Sequence, residues 1–424
     1  MATVRPFRGL RFDQSAGSLA DIVAPPYDVI SPSMREALAC KNPHNVVRLT
    51  LPEQEPEDRS KFVKYARSAA RLEEWRREGL LRAEERPSFY RYTQGFTLPG
   101  GQKFERTKLV TTIKVEPYSN GVVLPHEQTF PKHKEDRLRI LEATRSHLEC
   151  IFGLFEDDDR KVHGQIASAP STRLADFSTA DDGIRHVFDR IDDPGACATL
   201  TKAISDKRVW IADGHHRYET ALAFREALGP RDGPVAEDFM MMALCSITDP
   251  GLVLLPTHRI LRTMPVDASE LERRLTEHFR IERAPNAELA QRISGVGGRA
   301  FGVALPGGTG IVASTDDVDQ IATQIDGGGS MVLKRLDVSI LHGFIFAKLL
   351  GLSGHDFFDY TRDEGEAVCS VEDGAPAAFL MNPPSVQDMR DVAAGGEFMP
   401  QKSTYYYPKL LSGLVMWSLK DFEP

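Results

Sequence analysis

The sequence predicts a mixed α/β (α+β) protein of two lobes, and three observations carry that expectation. At 424 residues the chain exceeds the ~250 residues at which single hydrophobic cores usually stop growing. From about Asp58 to Leu81 the apolar residues Phe62, Tyr65, Ala66, Ala69, Leu72 and Trp75 recur every three or four positions, the signature of a helix with one core-facing stripe. No repeat at solenoid period and no low-complexity tract interrupts the rest, which reads as a mosaic of ordinary strands and helices.

The first lobe spans residues 1–118. It starts with short strands around the proline-rich turn Val23 to Pro32 (VAPPYDVISP), and the apolar run Asn45 to Leu51 (NVVRLTL) suits a buried strand. After the long helix, Ser88 to Leu98 and Phe104 to Val115 read as paired strands across a turn at Gly100 and Gly101. The second lobe, residues 119–424, opens with the polar segment Leu124 to Thr129 (LPHEQT) and a helix from about Lys134 to His147. Arg208 to Ala212 (RVWIA) is a short apolar strand, and Gly214 opens a helix to about Leu228 that Gly229 and Pro230 stop. A buried segment Phe239 to Ile247, a strand Leu252 to Leu261 and a helix from about Ala268 follow. Glycine-rich turns lie at Gly307 to Gly310 and Gly327 to Gly329. A last helix, Val338 to Leu350, precedes a loop-rich C-terminal part.

Composition excludes several classes. Hydrophobic residues make up 41% and charged residues 27%, a soluble globular balance, and no run nears the ~20 apolar residues of a membrane span. The N-terminus, MATVRPFRGLRF, lacks the features of a secretory signal, so a cytoplasmic location is expected. Acidic side chains outnumber basic ones 61 to 52, which argues against a broad nucleic-acid-binding surface and leaves a small-molecule substrate as the expected partner. The five cysteines are scattered and form no CxxC pair; they read as reduced, mostly buried thiols. No phosphate loop of the GxxxxGK[ST] type, GxGxxG loop, HExxH helix or GxSxG elbow is present.

The chemistry concentrates at Ile211 to Tyr218, IADGHHRY. A strand, then Asp213-Gly214-His215-His216-Arg217, then a helix presents backbone N–H groups and the positive end of a helix dipole to an anion. Gly214 permits close backbone approach, and His215, His216 and Arg217 add donors for phosphate oxygens. Asp213 can cap the helix, orient a histidine or hold a metal that bridges phosphates. The plain alternative is a capping aspartate beside solvated histidines. Glu127, beside His126, has the character of a general base whose strength depends on burial and neighbouring cations; otherwise it caps the next helix. Thr257, His258 and Arg259 place polar groups in an apolar strand, where burial penalises them unless they find partners. Lys402, Ser403, Thr404 and Lys409, with three tyrosines, fit either a phosphate-binding loop or a surface tail. Tyr27 and Asp28 are weaker candidates.

Taken in order, VAPPYDVI, LPHEQTFP, ADGHHRYETA, PTHRI and QKSTYYYPKL resemble the bacterial and archaeal family described as domain of unknown function 1015, over nearly the whole chain. More distantly, the strand-DGHHR-helix unit is similar to the ParB and sulfiredoxin superfamily, and especially to its free serine kinases, which use ADP as phosphate donor. That resemblance implies phosphate binding at Asp213, Gly214, His215, His216 and Arg217, and Glu127 acting on a serine hydroxyl. Sulfiredoxin's reactive cysteine has no counterpart in the turn. The expected activity is phosphoryl transfer on a small hydroxy amino acid, serine or phosphoserine leading, with ADP or ATP and magnesium. Catalytic roles fall to Glu127, His126, Asp213 and His216. Gly214, His215, Arg217, Thr257, His258, Arg259 and Lys402 bind phosphate or nucleotide, and Asp213 is the candidate metal ligand. A phosphatase at the same site and a nucleotide-responsive binding protein are the alternatives.

Overall fold

The computed structural model describes residues 1–127, 131–354, 356–400 and 402–423, with backbone alone at 131–133. Its contacts cluster in two units. The first comprises Met1–Pro125, Thr129–Val253 and Pro408–Pro424, the second His126–Gln128 and Leu254–Tyr407. The expected boundary at 118/119 falls inside the first unit, where strands from both sides of residue 118 share one sheet.

That sheet belongs to the first unit. It contains β1 (Val4–Arg5), β2 (Phe89–Thr97), β3 (Lys103–Lys114), β4 (Val123–Leu124), β5 (Ile151–Phe155), β6 (Thr172–Ser178), β7 (Arg185–Ile191), β8 (Val209–Asp213) and β9 (Phe239–Ser246). The order is β4-β8-β5-β9-β3-β2-β7-β6, with β1 also paired to β3. β8 runs parallel to β4, and β9 parallel to β5. β9 is buried along its whole length, so its continuous apolar run replaces the alternation of a half-exposed strand. The helices are α1 (Pro32–Lys41), α2 (Val63–Arg77), α3 (Pro131–Thr144), α4 (Lys161–Ser168), α5 (Pro194–Ile204) and α6 (His215–Ala227). Val162, Ile166, Leu200, Ile204, Tyr218 and Ala221 bring α4, α5 and α6 into the same core as Ile113, Ile151, Ile211 and Met242 of the strands.

The β2–β3 hairpin and the β8–turn–α6 unit lie where the sequence puts them, and Gly229, at φ +68°, ends α6. Three expectations in this unit are corrected. Asn45 to Leu51 is helical, with a turn of α-helix at Val47–Thr50. The Asn45 carboxamide accepts from the Val47 N–H at 3.0 Å and donates to the carbonyls of Asp21 and Val23, a local capping geometry that no hydrophobic pattern reveals. Short strands do precede VAPPYDVISP, at Val4–Arg5 and Leu10–Phe12, but the segment itself is built from helical turns and leads into α1, which Ser31 caps and Pro32 opens. In α2 the buried stripe is Ser68, Leu72 and Trp75, whereas Phe62 precedes the helix and stays 45% exposed.

The second unit carries its own antiparallel sheet of β10 (His258–Leu261), β11 (Arg280–Pro285), β12 (Arg299–Ala304), β13 (Thr309–Thr315), β14 (Phe358–Thr361) and β15 (Ala377–Met381), in the order β11-β13-β12-β15-β10-β14. Its helices include α7 (Ala268–Thr276), α8 (Ile340–Leu349), α9 (Glu364–Glu372) and α10 (Val386–Ala394). α8 is wound as a π-helix, a rare form over ten residues. The part beyond α8 is therefore not loop-rich: α9 and β15 bury Ala367, Val371, Ala378 and Leu380 in this unit's core. The strand expected over Leu252 to Leu261 is broken, and only His258–Leu261 joins the sheet, since Pro256 cannot donate to a ladder. Gly307 and Gly308 form a turn, while Gly310 lies within β13. Of the cysteines only Cys245 is buried, and Cys40 and Cys369 are exposed. Among the described residues, no helix is long and apolar enough to cross a membrane.

Each unit encloses a histidine in neutral form. Burial, reinforced by Lys108, pulls His186 of β7 from 6.5 to about 4; burial and Arg259 do the same to His258 of β10. Between about pH 6.5 and 4 the unfolded chain binds protons that the folded chain refuses. Stability is therefore complete above the upper value and falls as pH drops through the window, by roughly 3 kcal/mol per ring at its acid end. Urea midpoints followed across that range are expected to fall steadily with acidification; a flat profile would contradict the buried neutral rings.

Candidate functional site

β8 delivers the turn. Its last residue, Asp213, is followed by Gly214 at φ +94° and then by α6. A side chain at Gly214 would have its Cβ 2.7 Å from Ile151 Cγ2, so both the left-handed backbone and the contact with β5 require glycine here. His215 is buried and His216 half-buried at the first turn of α6, whose opening N–H groups face the helix N-terminal side. Tyr218 anchors the helix: its hydroxyl donates to the Glu116 carbonyl at 2.8 Å and accepts from the Glu116 N–H at 2.9 Å.

Asp213 does not cap α6, whose N-cap residue Gly214 offers no side chain. It pairs instead with Lys409, Nζ to Oδ2 at 3.2 Å, both side chains largely enclosed. Burial alone would raise the Asp213 carboxyl, but Lys409, then Arg217 and His215, hold it below the ordinary value. Lys409 comes from the far end of the chain and is fastened by its own backbone. Gln94 Nε2 donates to the Lys409 carbonyl at 3.0 Å, and Arg106 donates to that of Pro408. The Gln94 Oε1 in turn accepts from Arg106 at 3.0 Å and Lys108 at 2.5 Å. Gln94, Arg106 and Lys108 are wholly buried, and burial drives the Lys108 amine well below its usual range, with Arg106 adding to the effect.

Arg217 turns from the helix start toward the chain interior. Its guanidinium donates to the Cys150 carbonyl at 2.7 Å. Although burial opposes its charge, Glu149, Asp213 and Asp28 hold it above the ordinary value. Tyr27 lies under two guanidinium groups, 3.9 Å from Arg137 and 6.0 Å from Arg217. Its backbone N–H binds Glu149 Oε1 at 3.1 Å, and burial raises its phenol to about 12. Tyr27, Asp28 and Lys409 thus adjoin the turn more closely than the sequence alone suggests. The available signal was their polar chemistry inside the apolar VAPPYDVI and aromatic STYYYPK segments.

The other expected site residues belong to the second unit. Thr257, His258 and Arg259 are all buried and have partners. The Arg259 Nε donates to His342 Nε2 of α8 at 3.0 Å, and its Nη atoms reach the carbonyls of Thr257 and, at 3.4 Å, Lys402. Burial brings this guanidinium down to about 10, against the opposing charges of Tyr360 and Glu127. His258 Nδ1 accepts from the Met381 N–H at 3.2 Å, which leaves its proton on Nε2. Lys402 is exposed, at φ +58°. The His126 ring is fully buried with Nε2 2.8 Å from the Thr404 hydroxyl, and Glu127 Oε1 accepts from that hydroxyl at 3.2 Å. Thr129, in the same polar segment, lies outside the described residues.

Among the described residues no cluster of three or more His, Cys, Asp and Glu is arranged to hold a metal ion. Asp213 supplies a single carboxylate, already engaged by Lys409.

Comparison with solved structures finds low-level likeness. A free serine kinase variant in complex with ADP is 12% identical, with TM-score 0.35, over 70% of this chain and 86% of that one. A conserved hypothetical protein from Pyrococcus furiosus is 14% identical, with TM-score 0.34, over 74% and 97%. SbnI with C-terminal truncation, from Staphylococcus aureus, is 12% identical, with TM-score 0.35, over 74% and 90%. No curated protein matches the sequence. Residues 4–339 match a family model, and the chain belongs to the family described as protein of unknown function (DUF1015).

Proposed function

We propose that this protein is a cytoplasmic phosphotransferase that binds a nucleotide at the Asp213–Arg217 turn and transfers a phosphoryl group to a small hydroxy amino acid, serine first. What carries the proposal is the turn itself. A positive-φ glycine packed against β5 opens α6, two imidazoles stand at its first turn, and a lysine ammonium is held beside Asp213. That combination of helix N-terminus and fixed cation is suited to phosphate oxygens, in the manner of a ParB/sulfiredoxin-like phosphate turn.

In the reaction, the acceptor hydroxyl oxygen attacks the terminal phosphorus of the nucleotide. The bond to the bridging oxygen breaks, its electron pair leaves with the shortened nucleotide, and the hydroxyl proton passes to the Glu127 carboxylate. Little covalent work falls to the protein, so charge neutralisation and positioning supply most of the acceleration. Lys409 and the imidazoles of His215 and His216 provide the first. Arg217, tied to the Cys150 carbonyl, shapes the turn and contributes its field. Magnesium, entering with the nucleotide, would supply further neutralisation at the phosphates. Thr257, His258 and Arg259 are buried, and the Thr257 carbonyl, His258 Nδ1 and the Arg259 guanidinium are engaged within their own unit, which favours a supporting role over direct contact with phosphate.

A phosphorus NMR time course with magnesium, run on serine plus ADP, serine plus ATP, and phosphoserine alone, tests the activity. Phosphoserine is expected to appear only with a nucleotide. Phosphate released from phosphoserine alone would replace the kinase by a phosphatase, and nucleotide binding without any product would leave a binding protein. Glu127→Gln is expected to lower turnover about 10²-fold or more while nucleotide affinity, read by calorimetry, stays within about threefold of wild type.

The turn has its own test. Removing the ammonium in Lys409→Met should weaken nucleotide binding roughly ten- to a hundredfold, the scale of a lost charge-assisted hydrogen bond. Gly214→Ala should weaken binding at least as much and also lower the melting temperature, because it strains the left-handed backbone and crowds Ile151. Unchanged nucleotide affinity in both variants would remove the phosphates from this turn.

A further inference from the structure

We propose that Thr404 is a positioning residue for the base: its hydroxyl links the buried His126 imidazole to the Glu127 carboxylate and holds one carboxylate oxygen so that the other faces the acceptor hydroxyl. The inference rests on the reading of Glu127 as base, and the geometry behind it lies wholly within the second unit. Thr404 makes two contacts to one atom: its backbone N–H lies 3.4 Å and its hydroxyl 3.2 Å from Glu127 Oε1. Two donors from one residue to one oxygen fix the rotation of the carboxylate as well as its position. Among the described residues Oε2 accepts no hydrogen bond, and a base must keep lone pairs in hand for the proton it takes.

The same hydroxyl lies 2.8 Å from His126 Nε2. A hydroxyl has one proton to give. The anionic carboxylate is the stronger acceptor, so the proton points to Glu127 and the imidazole must donate from Nε2. The chain of hydrogen bonds therefore runs His126 Nε2–H to Thr404 Oγ1, then Thr404 Oγ1–H to Glu127 Oε1. It is held at both ends. The His126 ring has no exposed surface and stands edge-on to Tyr406, with centroids 6.4 Å apart. The His126 carbonyl accepts from the Met399 N–H at 2.6 Å, and Glu127 pairs with Met399 in a parallel bridge. On the Thr404 side, Lys402 adopts φ +58° and Ser403 hydrogen-bonds the Pro400 carbonyl, a turn that aims both Thr404 donors the same way. Among the described residues Arg259 also faces this carboxylate. His126 is thereby removed from direct contact with substrate: a fully buried ring that reaches Glu127 through a hydroxyl acts on orientation.

The test pairs Thr404→Val, which keeps the volume and loses the hydroxyl, with Thr404→Ser, which keeps the hydroxyl and loses the methyl. Valine is expected to lower kcat roughly ten- to a hundredfold with the KM for nucleotide unchanged, and serine to retain turnover within about threefold. Equal losses in the two variants, or wild-type kcat in the valine variant, would overturn the proposal. Glu127→Gln, run alongside, separates the failures: if it turns over normally, the base assignment falls, whereas a dead Glu127→Gln with an unaffected Thr404→Val sinks the positioning role alone. Nitrogen-15 NMR of imidazole-labelled protein reads the same chain without turnover. With His126→Gln used to assign the signal, the wild type should show the proton on Nε2 of His126 and a shifted Nε2 resonance in Thr404→Val. A His126 ring protonated only on Nδ1, or a resonance indifferent to the valine, would also overturn it.

Discussion

The Lys409 ammonium pairs with Asp213 from a backbone that is itself fastened. Arg106 and Lys108 on β3 point into the buried interior and share the acceptor Gln94 Oε1, which turns the Gln94 amide nitrogen toward the Lys409 carbonyl. The orientation of that amide is thus set by charge: a flipped Gln94 would present its NH₂ to two cations. Burying charge is expensive, and the low basicity of Lys108 is how the fold limits that cost. The outcome is a C-terminal strap whose ammonium is immobilised beside the turn. A lysine so fixed has already given up most of its side-chain freedom on folding.

The second unit handles a cation differently. Arg259 is enclosed as completely as Arg106, yet it spreads its donors over a histidine, two carbonyls and the Met381 sulfur, and faces the Tyr360 ring at 5.4 Å. Part of this shell comes from α8, whose π-helical winding carries His342. A guanidinium with five fixed donors can be satisfied this way where an ammonium cannot. That contrast explains why His258 and Arg259 can sit in an otherwise apolar strand: the imidazole accepts from the Met381 N–H and the guanidinium has its own shell of acceptors.

How much of this was legible from the sequence depends on the range of the interaction concerned. The β8–turn–α6 unit was, because a short apolar run, an Asp-Gly step and a helical period lie within twenty residues of one another. The β2–β3 hairpin was legible for the same local reason. Asn45 to Leu51 was not: seven residues, mostly apolar, fit a strand or a buried helical turn equally, and the Asn45 carboxamide decides between them through contacts with residues 21 and 23. The bounds of the two units were not legible either. Residues 126–128 and 408–424 fall in units other than those of most of their sequence neighbours, and no composition shift marks either change. Lys409 and Tyr27 joined the turn through pairings spanning more than a hundred residues, which one sequence does not reveal.

The same long-range pairings determine what a substitution at this site means. Lys409 and Arg217 hold the Asp213 carboxyl down, Glu149 and Asp213 hold the Arg217 guanidinium up, and the Tyr27 ring lies beside Arg137 and Arg217. Removing one member leaves another enclosed and unpaired, a penalty that belongs to the vacancy rather than to the interaction lost. Effects at these positions will therefore fail to add. An apparent loss of phosphate binding in a charge-deleting variant is interpretable only beside a neutral variant of its partner. Lys409→Met read together with Asp213→Asn isolates the ammonium's contribution to the ligand from its contribution to Asp213, since the double variant restores electrical balance while still lacking the cation.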